Sequence, residues 1–430
     1  DADWDTIQFE FAPADTATYK NLAFGAQGTG GSTAIANSWD QYRTAGAAVR
    51  DLMVRAAAET WGVPPGTIAV DNGIVTDSSG RSATFADLVT KAASLKPSDK
   101  PALKSSNQYK LIGNEKVRRK DSAAKVDGSA IFALDVKLPD MLYAVVARPP
   151  QFGAILKSLD DSEARKVRGV VDVKTIDRGV VVYAKNTWAA IKGRSKLNLA
   201  WNDAGAETRS SDAIIASERE ELSSDGLKAA QKGDAQAAIV GAAKTVRGEF
   251  TFPFLAHAPM EPLNCVITFD GTTAEVWDGC QFPTIAQPTI AGVLGIKPEN
   301  VKVNTVYAGG SFGRRATPSA DYHVEAAAAV KAIDGRHPVK LIWTREDDIK
   351  GGFYRPTFVQ EIEAGVTSDG KPAGWRHKLA GKSIIIGTPF EPALVKDGID
   401  ATSVEGAYNM PYVIPNFDVS VRNTKSQVPV

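Results

Sequence analysis

A chain of 430 residues with 43% hydrophobic composition is long enough to bury more than one core, so two or three domains are expected. Basic and acidic residues balance at 50 each, which removes the electrostatic footprint of a nucleic-acid binder and leaves no basic tail for an anionic membrane. The 2 cysteines and 4 histidines form neither a CxxC pair nor an HExxH helix, so the chain offers no iron–sulfur or structural zinc ligand set of its own.

In chain order, Ile7, Phe9 and Phe11 alternate with polar neighbours, the period of a half-buried strand, and lead into a Gly-rich loop over 25–33. Val49, Leu52, Met53, Ala56 and Trp61 recur at helical spacing and predict a helix over 45–61. Asp71-Asn72-Gly73 turns a hairpin, and a second helix covers 85–95. Residues 96–125, rich in Lys, Ser and Pro, read as a linker. A small α+β segment follows, with strands at 130–136, 142–147, 170–175 and 179–184, a helix from Thr187 and a return strand through Trp201. Residues 208–245 are polar, Ala-rich and helical in character. Gly248 opens a region of hairpins turned by Asp270-Gly271 and Asp369-Gly370, with helices near 284–295 and 322–332. The expected organisation is 1–100, a linker 101–125, 126–207, a helical connector 208–247, and 248–430. No apolar run approaches the ~20 residues of a membrane span. The first residues lack an initiator Met and a leader, and the end at Val430 lacks a cap, so both ends are expected to be cut. Cys265 and Cys280 leave a disulfide open and do not fix the redox compartment.

The sharpest chemical feature is AGGSFGRR at 308–315, between a strand over 301–307 and a helix. Its glycines let several backbone amides converge on one point, and Arg314 and Arg315 add charge-assisted donors for a phosphate or polar ring. The alternative is a glycine turn with two solvated arginines. The same stretch fits G-x-S-x-G through Gly309, Ser311 and Gly313, which would make Ser311 a hydrolase nucleophile, with His377 as base and Asp347 or Asp369 as acid. Pro318 argues against that elbow by delaying the helix behind the serine. QGTGGST at 27–33 is a second amide-rich loop, lacking the Lys and glycine spacing of a Walker loop or dinucleotide fingerprint. Two such loops suggest one large anionic ligand. His257 and Glu261 stand four apart, but Pro259 and Pro262 forbid the helix that would make them a metal pair, so a rigid turn holding Glu261 and Asn264 is expected. WTREDD at 343–348 reads as a surface charge network.

Taken in order, QGTGGST, KVDGSAIFALDVKLPDMLYAVVARPPQFG, AHAPMEPLNC, GGSFGRR, WTREDD, FYRP and VEGAYNMPYVIPN resemble the large subunit of the xanthine dehydrogenase and aldehyde oxidase superfamily. The pattern is nearest to the isoquinoline 1-oxidoreductase beta-subunit group. The resemblance implies an α+β, multi-domain fold in which pieces of molybdenum-cofactor-binding domains flank an α/β-hammerhead domain at 126–207. It assigns 1–100 to part of the second cofactor domain and 248–430 to the first. It also implies a molybdenum–molybdopterin cofactor, commonly the cytosine dinucleotide form, with no protein side chain on the metal. By the same resemblance, amides of Gly309, Gly310, Ser311, Phe312 and Gly313 face that cofactor, with Arg314 beside them. Gln281 contacts the metal's oxo group, and Gly28, Thr29, Gly30, Gly31 and Ser32 cradle the pyrophosphate end.

The reaction implied is oxidation of an aldehyde or N-heterocycle with water as oxygen source. Electrons would pass to a small [2Fe-2S] subunit and, in some members, a cytochrome c subunit. The glutamate base would lie beyond Val430, in the remaining C-terminal part of the subunit, so no catalytic residue is assigned here. Ala316 stands where purine-oxidising members carry a substrate-binding glutamate, which makes xanthine a poor substrate. Periplasmic localisation follows from the resemblance alone. Beside this reading stand the serine hydrolase and an inert cofactor-binding scaffold.

Overall fold

The computed structural model describes residues 1–23 and 25–430. The chain divides into two compact units, Asp1–Ile131 and Phe132–Val430, each mixing helices with strands.

The first unit is organised by the 29-residue helix Thr33–Trp61. It starts well ahead of the predicted 45–61 because residues 33–44 bury no continuous stripe, so no apolar period announces them. The helix stops at Gly62, whose φ of 67° lets its amide return to the Ala58 carbonyl. Met53, Ala56 and Ala57 pack with Val75, Leu88 and Ala92 to form the core. The hairpin Ile68–Asp71 and Ile74–Asp77 turns where predicted, with positive φ at both Asn72 and Gly73. A capping box of Thr84 and Asp87 starts the helix Phe85–Ala93. The predicted strand through Ile7, Phe9 and Phe11 does not form: these side chains are exposed, and residues 7–11 belong to no strand among the described residues. Alternation supplies a face, but a strand also needs a neighbour to satisfy its amides. Within the expected linker lie a turn, Ser106–Gln108, and a short helix, Ser122–Asp127.

The second unit contains a seven-stranded mixed sheet. Its spatial order is Val301–Thr305, Ala274–Asp278, Asn264–Phe269, Val339–Ile342, Leu142–Ala147, Gly179–Ala184 and Val170–Ile176. Three of the strands predicted within 126–207, at 142–147, 170–175 and 179–184, thus continue a sheet whose other four come from 264–342, joined by the parallel pairing of Leu142–Ala147 with Val339–Ile342. The helix Asp321–Lys331 packs against the helix Pro283–Leu294 and over the strands Asn264–Phe269 and Val339–Ile342. It is apolar or buried on most faces, and the Tyr183 hydroxyl donates to its Ala329 carbonyl at 2.7 Å. A five-stranded sheet is ordered Lys244–Phe252, Phe358–Val366, Pro372–Gly381, Asn416–Asn423 and Leu227–Lys232. Leu379, Val404, Val419 and Val421 cluster on it.

Three local expectations are corrected. Residues 130–136 are a 3-10 turn, Ala133–Asp135, rather than a strand, with Phe132 bridged to Tyr307. The segment 208–247 is not wholly helical, because Leu227–Lys232 between the helices Ser211–Glu221 and Ala235–Val240 is the edge of the five-stranded sheet. The strand Ile155–Asp160, unseen in the sequence, pairs with Asn198–Asn202.

Candidate cofactor-binding site

The parallel strands Ala274–Asp278 and Val301–Thr305 end level with each other, Asp278 opposite Thr305. Their carboxyl ends release two arms, Gly279–Phe282 and Val306–Gly313, the place where open α/β sheets bind ligands. The arms touch closely: a Cβ on Gly279 would stand 2.8 Å from Ala308 Cα. Ser311 Oγ donates to Gln281 Oε1 and accepts the Arg315 amide at 3.1 Å, so two residues predicted for the site are brought together.

The loop itself is an open nest of donors. The amides of Gly310, Ser311, Phe312 and Gly313 have no hydrogen-bond partner among the described residues. Gly310, Phe312 and Gly313 have φ of 95°, 55° and 97°. For Phe312 that backbone is uncommon and costs on the order of 1–3 kcal/mol. Phe312 is 74% exposed, so little packing offsets the strain. Gly309 differs from its neighbours, since its amide already donates to Glu261 Oε2 at 2.8 Å and its carbonyl accepts the Glu261 amide at 2.9 Å. The expected Gly309 amide donor is therefore internal to the protein, and its position is fixed by the turn at 257–262. That turn is non-helical, as its prolines require. Glu261 also accepts from the Leu134 amide at 3.1 Å and from Asn264 Nδ2 at 3.0 Å.

The arginines are buried rather than solvated, and both are turned to protein partners. Arg314, predicted to reach the cofactor, is 1% exposed and makes a bidentate pair with Asp321 at 2.7–2.8 Å. Its guanidinium lies between the rings of Trp343 and Phe353, with the cation 5.2 and 5.1 Å from their centroids. Burial alone would raise the Asp321 pKa, but the charge and hydrogen bonds of Arg314 hold it down to about 2. Arg315 is 2% exposed and donates to Asp278 Oδ1 and the Glu261 carbonyl at 3.2 Å, and to Glu261 Oε2 and the Gly310 carbonyl at 3.3 Å. Both cations are therefore spent inside the protein, and Arg315 is the one that braces the loop.

Sequence reasoning missed Asp278, Tyr322 and His323. Asp278 closes an otherwise ordinary strand, and the partners of its carboxylate lie 37 to 45 residues away. The Tyr322 hydroxyl donates to Asp278 Oδ2 at 2.7 Å, and His323 Nε2 lies 2.7 Å from the same oxygen. Burial works to raise the Asp278 pKa, and His323 and Arg315 outweigh it and hold the carboxyl below its usual range. Asp278, Cys280 and His323 are near enough to ligate a cation. However, the carboxylate already accepts from three groups, one of them the guanidinium of Arg315, whose charge repels a metal. Burial followed by Asp278 pushes the Cys280 thiol up, away from the thiolate a metal would need. Both cysteines are free.

In the first unit, Gly28 to Ser32 precede the helix Thr33–Trp61, with Gly31 and Ser32 at φ of 57° and 53°. Thr29 to Ser32 are exposed, and Thr33 folds back to the Gly30 carbonyl through its amide at 3.2 Å and its hydroxyl at 2.8 Å.

The hydrolase arrangement is not assembled. Ser311 hydrogen-bonds Gln281 rather than a histidine, and the strained residue of the turn is Phe312. His377 is buried in the strand Pro372–Gly381 with Nε2 at 2.9 Å from Gln360 Oε1, and burial lowers its pKa to about 4. Asp347 is occupied in capping the helix Arg345–Lys350 and binding Arg194 at 2.7 Å. The WTREDD cluster is correspondingly not a surface network, since Trp343 and Asp348 are buried. A cleft of about 700 Å³ lined by Arg148, Trp201, Trp343, Asp347 and Phe353 contains none of the residues predicted to bind the cofactor.

Comparison with known proteins matches residues 219–429 to the molybdopterin cofactor-binding domain family. The chain is 33% identical over 434 residues to isoquinoline 1-oxidoreductase subunit beta of Brevundimonas diminuta, covering 89% of this chain and 54% of the relative. The chain is a homologue of the molybdopterin-binding subunits of the xanthine dehydrogenase and aldehyde oxidase superfamily. A second member, the membrane-bound aldehyde dehydrogenase [pyrroloquinoline-quinone] of Gluconacetobacter polyoxogenes, is 32% identical over 84% of this chain and 48% of its own. This molybdopterin-binding chain thus spans about half the length of these two relatives. Its fold is similar to part of quinoline 2-oxidoreductase from Pseudomonas putida 86, with a TM-score of 0.57 and 17% identity over 73% of this chain and 44% of that one.

The residues present fit a pterin-borne cofactor. Four amides at 310–313, unpartnered among the described residues, offer donors to an electron-rich group, and at Gly309 even a Cβ would collide with Glu261, at 2.4 Å.

Proposed function

We propose that this chain holds a molybdenum–molybdopterin cofactor within the large subunit of an oxidoreductase that hydroxylates an aldehyde or N-heterocycle with oxygen from water. The observation that carries this reading is the nest of four unpartnered amides at Gly310, Ser311, Phe312 and Gly313, beside Gln281. The isoquinoline and aldehyde oxidoreductases among the relatives supply the substrate classes. The group, when bound, supplies the two-electron oxidation and the activation of water; the protein residues bind and orient it.

In this reading, the loop at 310–313 donates to the cofactor through backbone N–H groups, which need no side-chain reorganisation on binding. Gln281 is fixed beside them by Ser311. Gly28, Thr29, Gly30, Gly31 and Ser32, at the amino end of a long helix, are assigned to the pyrophosphate of a cytosine dinucleotide form, where exposed amides and the helix dipole favour negative charge. Electrons leave through a [2Fe-2S] partner subunit and, in a complex that contains one, a cytochrome c subunit. The assembly is assigned to the periplasm on resemblance. Among the described residues, no helix is long and apolar enough to cross a membrane.

Metal and pterin analysis of the native complex tests the proposal. About one molybdenum per chain with a releasable pterin is expected. Active complex lacking molybdenum, or activity lost on fluorophosphonate labelling of Ser311, overturns it.

A further inference from the structure

We infer that Arg315 is the positioning residue of the amide loop and sets the donor strength of the Ser311 amide through the Gly310 carbonyl. The inference rests on the proposed cofactor role of that loop. Arg315 never meets a ligand, because its side chain is fully buried. It reaches the loop through Nε, which donates to the Gly310 carbonyl at 3.3 Å. That carbonyl belongs to the same peptide group as the Ser311 N–H. A cation on the carbonyl oxygen draws electron density along the peptide, and hydrogen bonds so chained polarise one another, so the N–H becomes a stronger donor toward whatever lies outside.

The remaining bonds of Arg315 fix where that donor points. Nη1 donates to Asp278 at the end of the strand that leads to Gln281, and Nη2 to the Glu261 carbonyl in the turn that holds Gly309. Its backbone amide holds Ser311 Oγ, which in turn donates to Gln281. One residue therefore ties both arms of the site and the turn beneath them. Asp278 is kept in place for this by Tyr322 and His323. With Asp278 and Glu261 on either side, the charge of Arg315 is locally balanced, so its effect is confined to the peptide it touches. A lysine has the charge but a single donor centre, and cannot reproduce a fork directed at three segments.

The test uses the native complex carrying R315K, with R314K as control. Arg314 is as deeply buried as Arg315, but its side chain pairs with Asp321 and makes no bond to the loop. In R315K, molybdenum per chain falls on the order of 10-fold, and the fraction retaining metal shows a shifted Mo(V) electron paramagnetic resonance spectrum. R314K melts at lower temperature and keeps the wild-type metal content and spectrum. Should R315K fail to fold, D278N removes one anchor while leaving the guanidinium in place, and the same spectral shift is expected. Wild-type metal content and spectrum in R315K or D278N, or the same shift in R314K, overturns the assignment. A wild-type complex with no molybdenum overturns the proposed function instead.

Discussion

Gly309→Ala places a methyl group where the structure has no room for one. The new carbon would lie 2.4 Å from Glu261 Cβ and 3.1 Å from Glu261 Oε2. Carbon atoms in contact stand ~3.5–4.0 Å apart, so Glu261 must move by about 1 Å. That displacement lengthens bonds to a carboxylate that accepts from Leu134, Asn264, Gly309 and Arg315. Overpacking contributes about 1–3 kcal/mol, and losing one bond to a charged group about 1.5–3 kcal/mol, for a total of about 2.5–6 kcal/mol. For a unit of this size that lowers Tm on the order of 10 °C, measurable by circular dichroism or calorimetry. Gly313→Ala is the comparison: its Cβ meets nothing within 4 Å, so only the φ of 97° opposes it, at about 1–2 kcal/mol. Should Gly309→Ala melt at or above Gly313→Ala, the contact between the loop and Glu261 is not the constraint described here.

Other substitutions probe the interior charges. R314A leaves Asp321 buried without its cation and costs about 3–5 kcal/mol in chemical denaturation, whereas R314M combined with D321L recovers most of that loss. His377, held at about 4 by burial against a usual 6.5, binds fewer protons in the folded chain than in the unfolded one. Stability is therefore complete above pH ~6.5 and falls by about 3 kcal/mol as pH drops toward 4; H377Q removes this dependence in denaturation curves taken across that window. S311A keeps every backbone amide and loses the hydroxyl link to Gln281, so stability falls by about 1 kcal/mol while metal analysis of the complex still finds molybdenum.

What could be read in advance was whatever local geometry dictates. The Asp-Gly turns at 270–271 and 369–370 sit between paired antiparallel strands because glycine accepts positive φ there. The helices at 283–294 and 321–331 announced themselves by composition and spacing. The loop at 308–313 was legible because several glycines in sequence have few other uses. The fate of its arginines was not. Two adjacent cations after a turn look solvated, and nothing nearby says that Asp278 and Glu261 come to meet Arg315. Asp321 is seven residues from Arg314, beyond any short-range rule for ion pairs. The alternation of Ile7, Phe9 and Phe11 erred the other way, since a pattern one chain segment presents becomes a strand only when another segment completes it.

The order of the seven-stranded sheet also constrains how the chain is made. Val339–Ile342 lies between Asn264–Phe269 and Leu142–Ala147, so it is the last of the seven to be synthesised yet takes the central place. Until it arrives there are two three-stranded pieces, each with an unpaired edge of nearly continuous apolar residues. At ~5–20 residues per second, the ribosome needs about 10–40 s to travel from Ala147 to Ile342. For that interval the nascent polypeptide carries an edge open to other strands, and the strand ends that bear the cofactor loop have no finished sheet behind them. The proposed cofactor finds a finished sheet behind its loop only after that strand is in place, and any slowing of synthesis between those points lengthens the period in which aggregation competes with folding.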